Sequence, residues 1–239
     1  MSRTIDLNAD LGEGMPWDAE LLQLVTSANI SCNAHAGSPE EIEATLVEAH
    51  RQGVVVGAHP SWEDREGFGR REKPGNLQEV SSLVERQVCW LQWVARPHGI
   101  VVRYIKPHGA LYNQAMRSDR ESLNIVYGLL FAQRELRLRL MGQPGTKIEQ
   151  MCSPSGGYIR EGFPDRRYRE DGTLVPRSVP GALIEAVDEV VEHALELVER
   201  DDLDSLCLHG DSPDAVARAF AIRNAFDRKG IMVRSFLGE

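Results

Sequence analysis

Five segments of the chain end in side chains that can move protons, hold charge or bind a metal. Ile5-Asp-Leu-Asn-Ala-Asp10 ends in a carboxylate. Ile30-Ser-Cys-Asn-Ala-His35, Val54-Val-Val-Gly-Ala-His59 and Leu206-Cys-Leu-His209 end in imidazoles. Val101-Val-Arg-Tyr-Ile-Lys-Pro-His108 supplies a lysine and a histidine. Imidazole titrates near neutral pH and is a frequent metal ligand. A carboxylate beside it can act as a general base on water or share the metal. A strand-end lysine can face a phosphate or a developing oxyanion. A single histidine after a strand is usually a loop residue bonded to backbone. Four of the seven histidines in equivalent positions point instead to one shared site. Asp10, His35, His59, Lys106 and His108 are therefore the candidate catalytic residues. Asp10, His35 and His59 also form a candidate set for a divalent metal, though no diagnostic spacing marks them.

Each of these endings follows an apolar run of strand length, and helical stretches separate the runs. Expected strands are Thr4–Asn8, Ala28–Asn33, Val54–Ala58, Ile100–Lys106, Leu136–Met141, Ser205–Leu208 and Ile231–Arg234, with a short one at Met151–Ser153. Pro107 cannot donate to a ladder, which ends the fourth strand. Ser38-Pro39-Glu40-Glu41 reads as a helix start with a capping box, and Asn76 with Glu79 reads as another. Further helices are expected around Asp18–Thr26, Tyr112–Arg134 and Pro180–Arg200, and from Ser212-Pro213 to Gly230. Alternation of about seven β and α units implies a parallel sheet with helical crossovers. An open doubly wound sheet and a closed barrel both satisfy that pattern. The barrel is favoured because polar residues end five separate strands, and a barrel gathers such ends on one face. One α/β domain spanning residues 1–239 is expected, a distorted (β/α) barrel of about seven strands. Two long polar loops, His59–Gly75 and Glu161–Arg177, carry candidate anion clamps at Arg65, Arg70, Arg71, Arg166 and Arg167.

Composition narrows the setting. The formal net charge of −9 disfavours sequence-independent nucleic-acid binding. No apolar run approaches the ~18–20 residues of a membrane span. The amino terminus enters a strand with no apolar leader, and the four cysteines form no CxxC pair, so a soluble cytoplasmic protein with reduced thiols is expected. Phosphate-loop, HExxH and GxSxG signatures are absent, and Gly142-Gln-Pro-Gly-Thr-Lys147 has the wrong spacing for the first.

Longer motifs carry a resemblance. Asp6-Leu-Asn-Ala-Asp-Leu-Gly-Glu13, His35-Ala-Gly37, Gly57-Ala-His-Pro-Ser61, Gly67-Phe-Gly-Arg-Arg71, Lys106-Pro-His-Gly-Ala-Leu-Tyr-Asn113, Asp165-Arg166 and His209-Gly-Asp211 are similar to the LamB/YcsF family. The resemblance runs from the first strand to the last helix. It implies a barrel related to those of polysaccharide deacetylases. It also implies ATP-dependent opening of 5-oxo-L-proline, a lactam, to L-glutamate, in a complex with two further subunits, B and C (PxpB and PxpC). On that reading Asp10 is the base, with His35 and His59 orienting it or holding metal, while Lys106 and His108 stabilise developing charge. Asn8, Arg70, Arg71, Asn113, Arg166, His209 and Asp211 are expected to touch substrate or phosphate. Rival readings are a stand-alone metal-dependent amidase or deacetylase, and a non-catalytic module that binds a small acid. A homo-oligomer is also compatible. The chain departs from the family pattern at Cys32-Asn-Ala-His-Ala-Gly-Ser-Pro39, where the family has Cys-Gly-Phe-His-Ala-Gly-Asp-Pro, and at Glu161-Gly-Phe-Pro-Asp-Arg166, where it has Glu-Val-Phe-Ala-Asp-Arg. Loss of Gly and Phe is expected to reshape the wall beside His35.

Overall fold

The computed structural model describes residues 3–117, 119–152, 157–177 and 179–238. In chain order the elements are β1 (Thr4–Leu11), α1 (Asp18–Leu21), β2 (Ser27–Ser31), α2 (Pro39–Arg51), β3 (Val55–His59), α3 (Leu77–Ala95), β4 (Val102–Ile105), α4 (Gly109–Met116), α5 (Leu123–Leu136), β5 (Arg139–Gly142), α6 (Lys147–Met151), β6 (Tyr158–Gly162), α7 (Val187–Val198), β7 (Ser205–Leu208), α8 (Ala215–Lys229) and β8 (Met232–Val233). Strands β1 to β7 are parallel, and β1 pairs with both β2 and β7, so the sheet closes into a seven-stranded barrel. The short β8 adds to the start of β1, opposite Thr4 and Ile5. The expected barrel is the one observed.

Side-chain alternation sorts the barrel into two environments. Along β1, Ile5, Leu7, Ala9 and Leu11 join the main apolar core, while Asp6, Asn8 and Asp10 turn into the interior. That interior is polar and fully bonded around Asn8. Asn8 donates to Ser205 Oγ (2.7 Å), and Asn29 donates to Asn8 Oδ1 (2.7 Å) and Asp10 Oδ1 (2.8 Å). The Tyr104 hydroxyl donates to Asn29 Oδ1 at 2.7 Å. A separate apolar plug of Tyr104, Met141 and Ile159 is backed by Phe236 from the chain end. Gly57 leaves room for the Tyr104 ring, since a Cβ there would lie 2.3 Å from it.

Both capping boxes form, Ser38 with Glu41 and Asn76 with Glu79. Several expected boundaries move, for identifiable reasons. The helix expected over Asp18–Thr26 is a single turn, because Thr26 accepts the Leu7 N–H (3.0 Å) and donates to Asp6 (2.7 Å), drawing the chain into β2. The helix expected over Tyr112–Arg134 is two helices; Asp119 accepts the Ser122 N–H and starts the second. Arg137, in the left-handed region at φ 53°, ends α5 and delays β5 to Arg139. The strand expected at Met151–Ser153 is not there: Met151 ends α6, and Ser153 lies outside the described residues. The strand is Tyr158–Gly162, so Glu161 belongs to the barrel wall and not to a polar loop. The helix expected from Pro180 starts at Val187, because Leu183 is extended and bridges to Arg166. No helix among the described residues is long and apolar enough to cross a membrane.

Candidate functional site

The carboxyl ends of the strands meet in two adjoining clusters, joined by Asp10. The first cluster contains Glu13, His35, His59 and His108, all buried. His59 is the last residue of β3, and its Nδ1 donates to the Lys106 carbonyl at 2.7 Å. Its Nε2 faces His108 Nδ1 at 2.9 Å and Asp10 Oδ2 at 3.4 Å. His108, placed by the turn after β4, directs Nε2 at the Phe68 carbonyl (2.9 Å). His35 bonds to Glu13 Oε1 through Nε2 and to Ser61 Oγ through Nδ1, each at 2.9 Å. The His35 and His108 rings stack with centroids 3.9 Å apart and planes 6° from parallel. Burial pushes His108 well down, and the neighbouring His35 and His59 add to that. Burial also lowers His35, against the pull of Glu13. Burial opposes charge on His59 as well, but Asp10 outweighs it and raises this imidazole.

The second cluster surrounds Lys106. Its ammonium lies 3.0 Å from Asp10 Oδ1, 3.0 Å from Glu161 Oε2, 2.9 Å from Cys207 Sγ and 3.4 Å from Asn8 Oδ1. Burial works against that charge, yet Asp10 and Glu161 outweigh it and hold the lysine protonated. Burial also opposes ionisation of Asp10, but His59 and then Lys106 push its carboxyl well below the usual range. Glu161 goes the other way: burial raises it, and Lys106 only partly compensates. Among the described residues neither Glu161 oxygen has a well-formed hydrogen bond, nor has the nearby Tyr112 hydroxyl. The cluster is thus short of hydrogen-bond partners beside a charged lysine.

The two long loops close the rim. Residues 60–76 lie over the histidines: the Gly69 carbonyl accepts the Ala110 N–H, and a Cβ at Gly69 would lie 2.9 Å from His108. Arg70 bonds to Asp211 across the mouth, and Arg177 reaches the same carboxylate at 3.1 Å. His209 Nδ1 bonds to Asp165 at 2.8 Å, and its ring stacks on Phe163. Burial opposes charge on Asp165, but His209 and Arg177 hold it down to about 2. Arg166 is buried, donates to the Val175 carbonyl (2.8 Å), and leaves Nε without a partner among the described residues.

Asp10, His35, His59, Lys106 and His108 therefore come together as expected. Three other expected residues are placed differently. Arg71 pairs with Asp64 (3.5 Å) and Glu66 (3.4 Å) inside its own loop. Asn113 is exposed on α4, and among the described residues no hydrogen bond ties it to the clusters. Asn8 lies inside the barrel, where it braces Lys106 at 3.4 Å. The expected metal set also regroups, because the histidines gather on Glu13 while Asp10 bridges toward Lys106. Sequence reasoning missed Glu13, Glu161 and Arg177. Glu13 carried a signal, a carboxylate three residues past Asp10 between two glycines. At the altered wall, Asn33 adopts the left-handed φ of 62° that a glycine would take freely. Arg65 braces it by bonding its side chain and the Gly37 carbonyl. A cavity of about 460 Å³ lined by Asn33, Ala34, Arg65 and Trp90 lies on that side, outside the clusters.

The LamB/YcsF family profile matches residues 5–238. The chain belongs to the LamB/YcsF family. The 5-oxoprolinase A subunit of Methylococcus capsulatus is 44% identical over 256 residues, covering 100% of this chain and 98% of that protein. The protein of the same name from Neisseria meningitidis serogroup A is 41% identical over 244 residues, covering 97% and 99%. Among solved structures, the lactam utilization protein from Thermus thermophilus superposes with a TM-score of 0.86 at 36% identity, covering 97% of this chain and 99% of that one. The catalytic domain of a peptidoglycan N-acetylglucosamine deacetylase from Eubacterium rectale gives a TM-score of 0.57 at 13% identity, covering 98% and 89%. At that distance the likeness concerns the fold alone, and it places this LamB/YcsF barrel beside the deacetylase barrels.

Proposed function

We propose that this LamB/YcsF chain is the A subunit of a 5-oxoprolinase, which opens 5-oxo-L-proline to L-glutamate with ATP as co-substrate. In this reading it works in the cytoplasm with two further subunits, B and C. The observation that carries the reading is the full-length 44% identity to a protein of that name.

The chemistry of the second cluster suits the reaction. A lactam is a stabilised amide and a poor electrophile. Phosphorylation of its oxygen by ATP makes the ring carbon attackable and releases ADP. Water adds to that carbon, the C–N bond breaks, and the ring nitrogen takes a proton and becomes the amine of glutamate. The acyl phosphate left behind is hydrolysed by a second water to carboxylate and phosphate. Lys106 faces the oxygen that accumulates charge, and one such donor lowers a barrier by ~3–4 kcal/mol. Glu161, with its raised carboxyl and the Lys106 ammonium as its charged partner, is the better base for water. Asp10 is held ionised, so it serves to keep Lys106 charged and is a weaker base than expected from the sequence. Arg70 and Arg177, presented together by Asp211, suit the substrate carboxylate.

The test combines the chain with the B and C subunits, 5-oxo-L-proline and ATP, and measures glutamate and ADP. ATP-dependent glutamate release is expected only from the complete mixture, and Glu161→Gln is expected to lower kcat by at least ~100-fold. Absence of glutamate from the complete mixture overturns the reading. Turnover by the chain alone without ATP replaces it with a stand-alone hydrolase.

A further inference from the structure

We propose that Glu13, His59 and His108 bind one first-row divalent cation, with His35 positioning Glu13. The argument starts from where the imidazole protons must lie. The Lys106 carbonyl can only accept, so the bond at 2.7 Å places a proton on His59 Nδ1. The Phe68 carbonyl likewise places one on His108 Nε2, at 2.9 Å. The remaining nitrogen of each neutral ring is then a bare lone pair. Those two lone pairs, His59 Nε2 and His108 Nδ1, face each other at 2.9 Å. Two acceptors at that distance repel unless a proton or a metal ion is shared between them, and the shared position is the one a cation would take. Glu13 Oε1 completes a triangle of electron-pair donors, 3.4 Å from His108 Nδ1 and 3.8 Å from His59 Nε2.

The triangle has the dimensions of a metal site. Ligands about 2.0–2.2 Å from one ion stand roughly 2.9–3.8 Å apart at ligand–metal–ligand angles of about 90–130°. Both histidines donate their outer N–H to backbone carbonyls, which fixes the tautomer and aims the lone pair inward, as metal-ligating histidines require. Two imidazoles and a carboxylate suit zinc and its first-row neighbours better than magnesium or calcium. Asp10, 3.4 Å from His59 Nε2, adds negative charge beside the triangle.

His35 is excluded as a fourth ligand by its ring geometry. Its plane is parallel to that of His108 and one stacking distance away, so the two in-plane lone pairs cannot converge on one ion. Its contact is with Glu13 Oε1 at 2.9 Å, which makes it a positioning residue. A cation held by the other three would supply a Lewis acid next to Asp10 and Lys106. The inference does not rest on lactam turnover, and its test reads binding only.

The chelator-stripped full chain is titrated with Zn²⁺ by calorimetry, with folding of each variant checked by circular dichroism. One equivalent is expected to bind wild type, and Glu13→Gln and His108→Phe are expected to abolish it. His35→Ala is expected to keep the stoichiometry and weaken Kd roughly 10–100-fold, with partial rescue in His35→Gln, which can still donate to Glu13. His98→Ala, at an exposed pair with Glu43, should change nothing. Where a ligand variant fails to fold, wild type loaded with Co²⁺ decides, through visible absorption bands that Zn²⁺ displaces. Absence of saturable binding and of those bands overturns the site. Binding that survives in folded Glu13→Gln overturns the donor set, and loss of stoichiometry in His35→Ala overturns the positioning role.

Discussion

Lys106 stands 3.0 Å from each of two buried carboxylates, and that arrangement makes it both chemical and structural. Lys106→Met leaves Asp10 and Glu161 buried side by side without a cation. A loss of about 3–5 kcal/mol is expected on urea unfolding. The double variant Lys106→Met/Glu161→Gln is expected to recover part of it; no recovery would show that the lysine stem, not its charge, supports the barrel. Deeper in the barrel, Asp6 is ringed by Thr26, Ser27 and Ser205 hydroxyls, yet burial outweighs those bonds and raises its carboxyl from 3.8 to about 6. A raised folded-state value means that the folded chain keeps its proton where the unfolded chain has lost it. Stability is therefore drained as pH rises from about 4 to 6, by about 3 kcal/mol in all, and the drain is complete above that range. Asp6→Asn removes the titration. Its stability relative to wild type should climb between pH 4 and 6 and then level off. A flat difference across that range would contradict the assignment.

At the scale of elements, the helix starts are the parts most open to local reading. Asn76 and Ser38 accept N–H groups three residues on, within the first turn, so no distant partner is involved. Asn76→Ala is expected to cost about 1 kcal/mol by chemical denaturation. The loop over the histidines is a different matter. It is held by the close approach of Gly69 to Gly109, at the start of α4, where a Cβ on Gly109 would lie 2.5 Å from the Gly69 carbonyl and φ is +57°. Gly109→Ala is thus expected to lift residues 60–76 away from His108, at a cost of roughly 1–3 kcal/mol. Faster amide exchange confined to that loop is the signature to look for; protection equal to wild type would dissociate the glycine from loop docking. Strand β6 shows where local reading fails. Tyr158–Gly162 is short, contains arginine and glutamate, and follows a segment with turn chemistry, so its pattern resembles a loop. Only pairing with β5 and β7 makes it a strand, and only that pairing carries Glu161 into the interior.

For the whole molecule, closure between β1 and β7 brings Asp10, Lys106, Glu161 and Cys207 within bonding distance across the barrel. Closure leaves an opening below the polar layers. Tyr104, Met141 and Ile159 fill it, backed by Phe236 from beyond β8. Phe236→Ala is expected to cost about 2–3 kcal/mol, less than a fully enclosed phenylalanine because Phe236 is only half-buried. A loss under ~0.5 kcal/mol in thermal unfolding would show that the plug is complete without it.

Alternation of strands and helices, the two capping boxes, and polar residues after successive strands were enough to indicate a parallel barrel with its site on one face. These features are local, since each depends on residues within a few positions of one another. Asp10, His35, His59, Lys106 and His108 were legible for the same reason. Tertiary structure decided the rest. It gathered the histidines around Glu13, pushed the Asp10 carboxyl down and the Glu161 carboxyl up, and placed Arg71 and Asn113 away from the two clusters. Burial, shared protons and the distance between strands far apart in the chain set those outcomes, and no short window of sequence contains them.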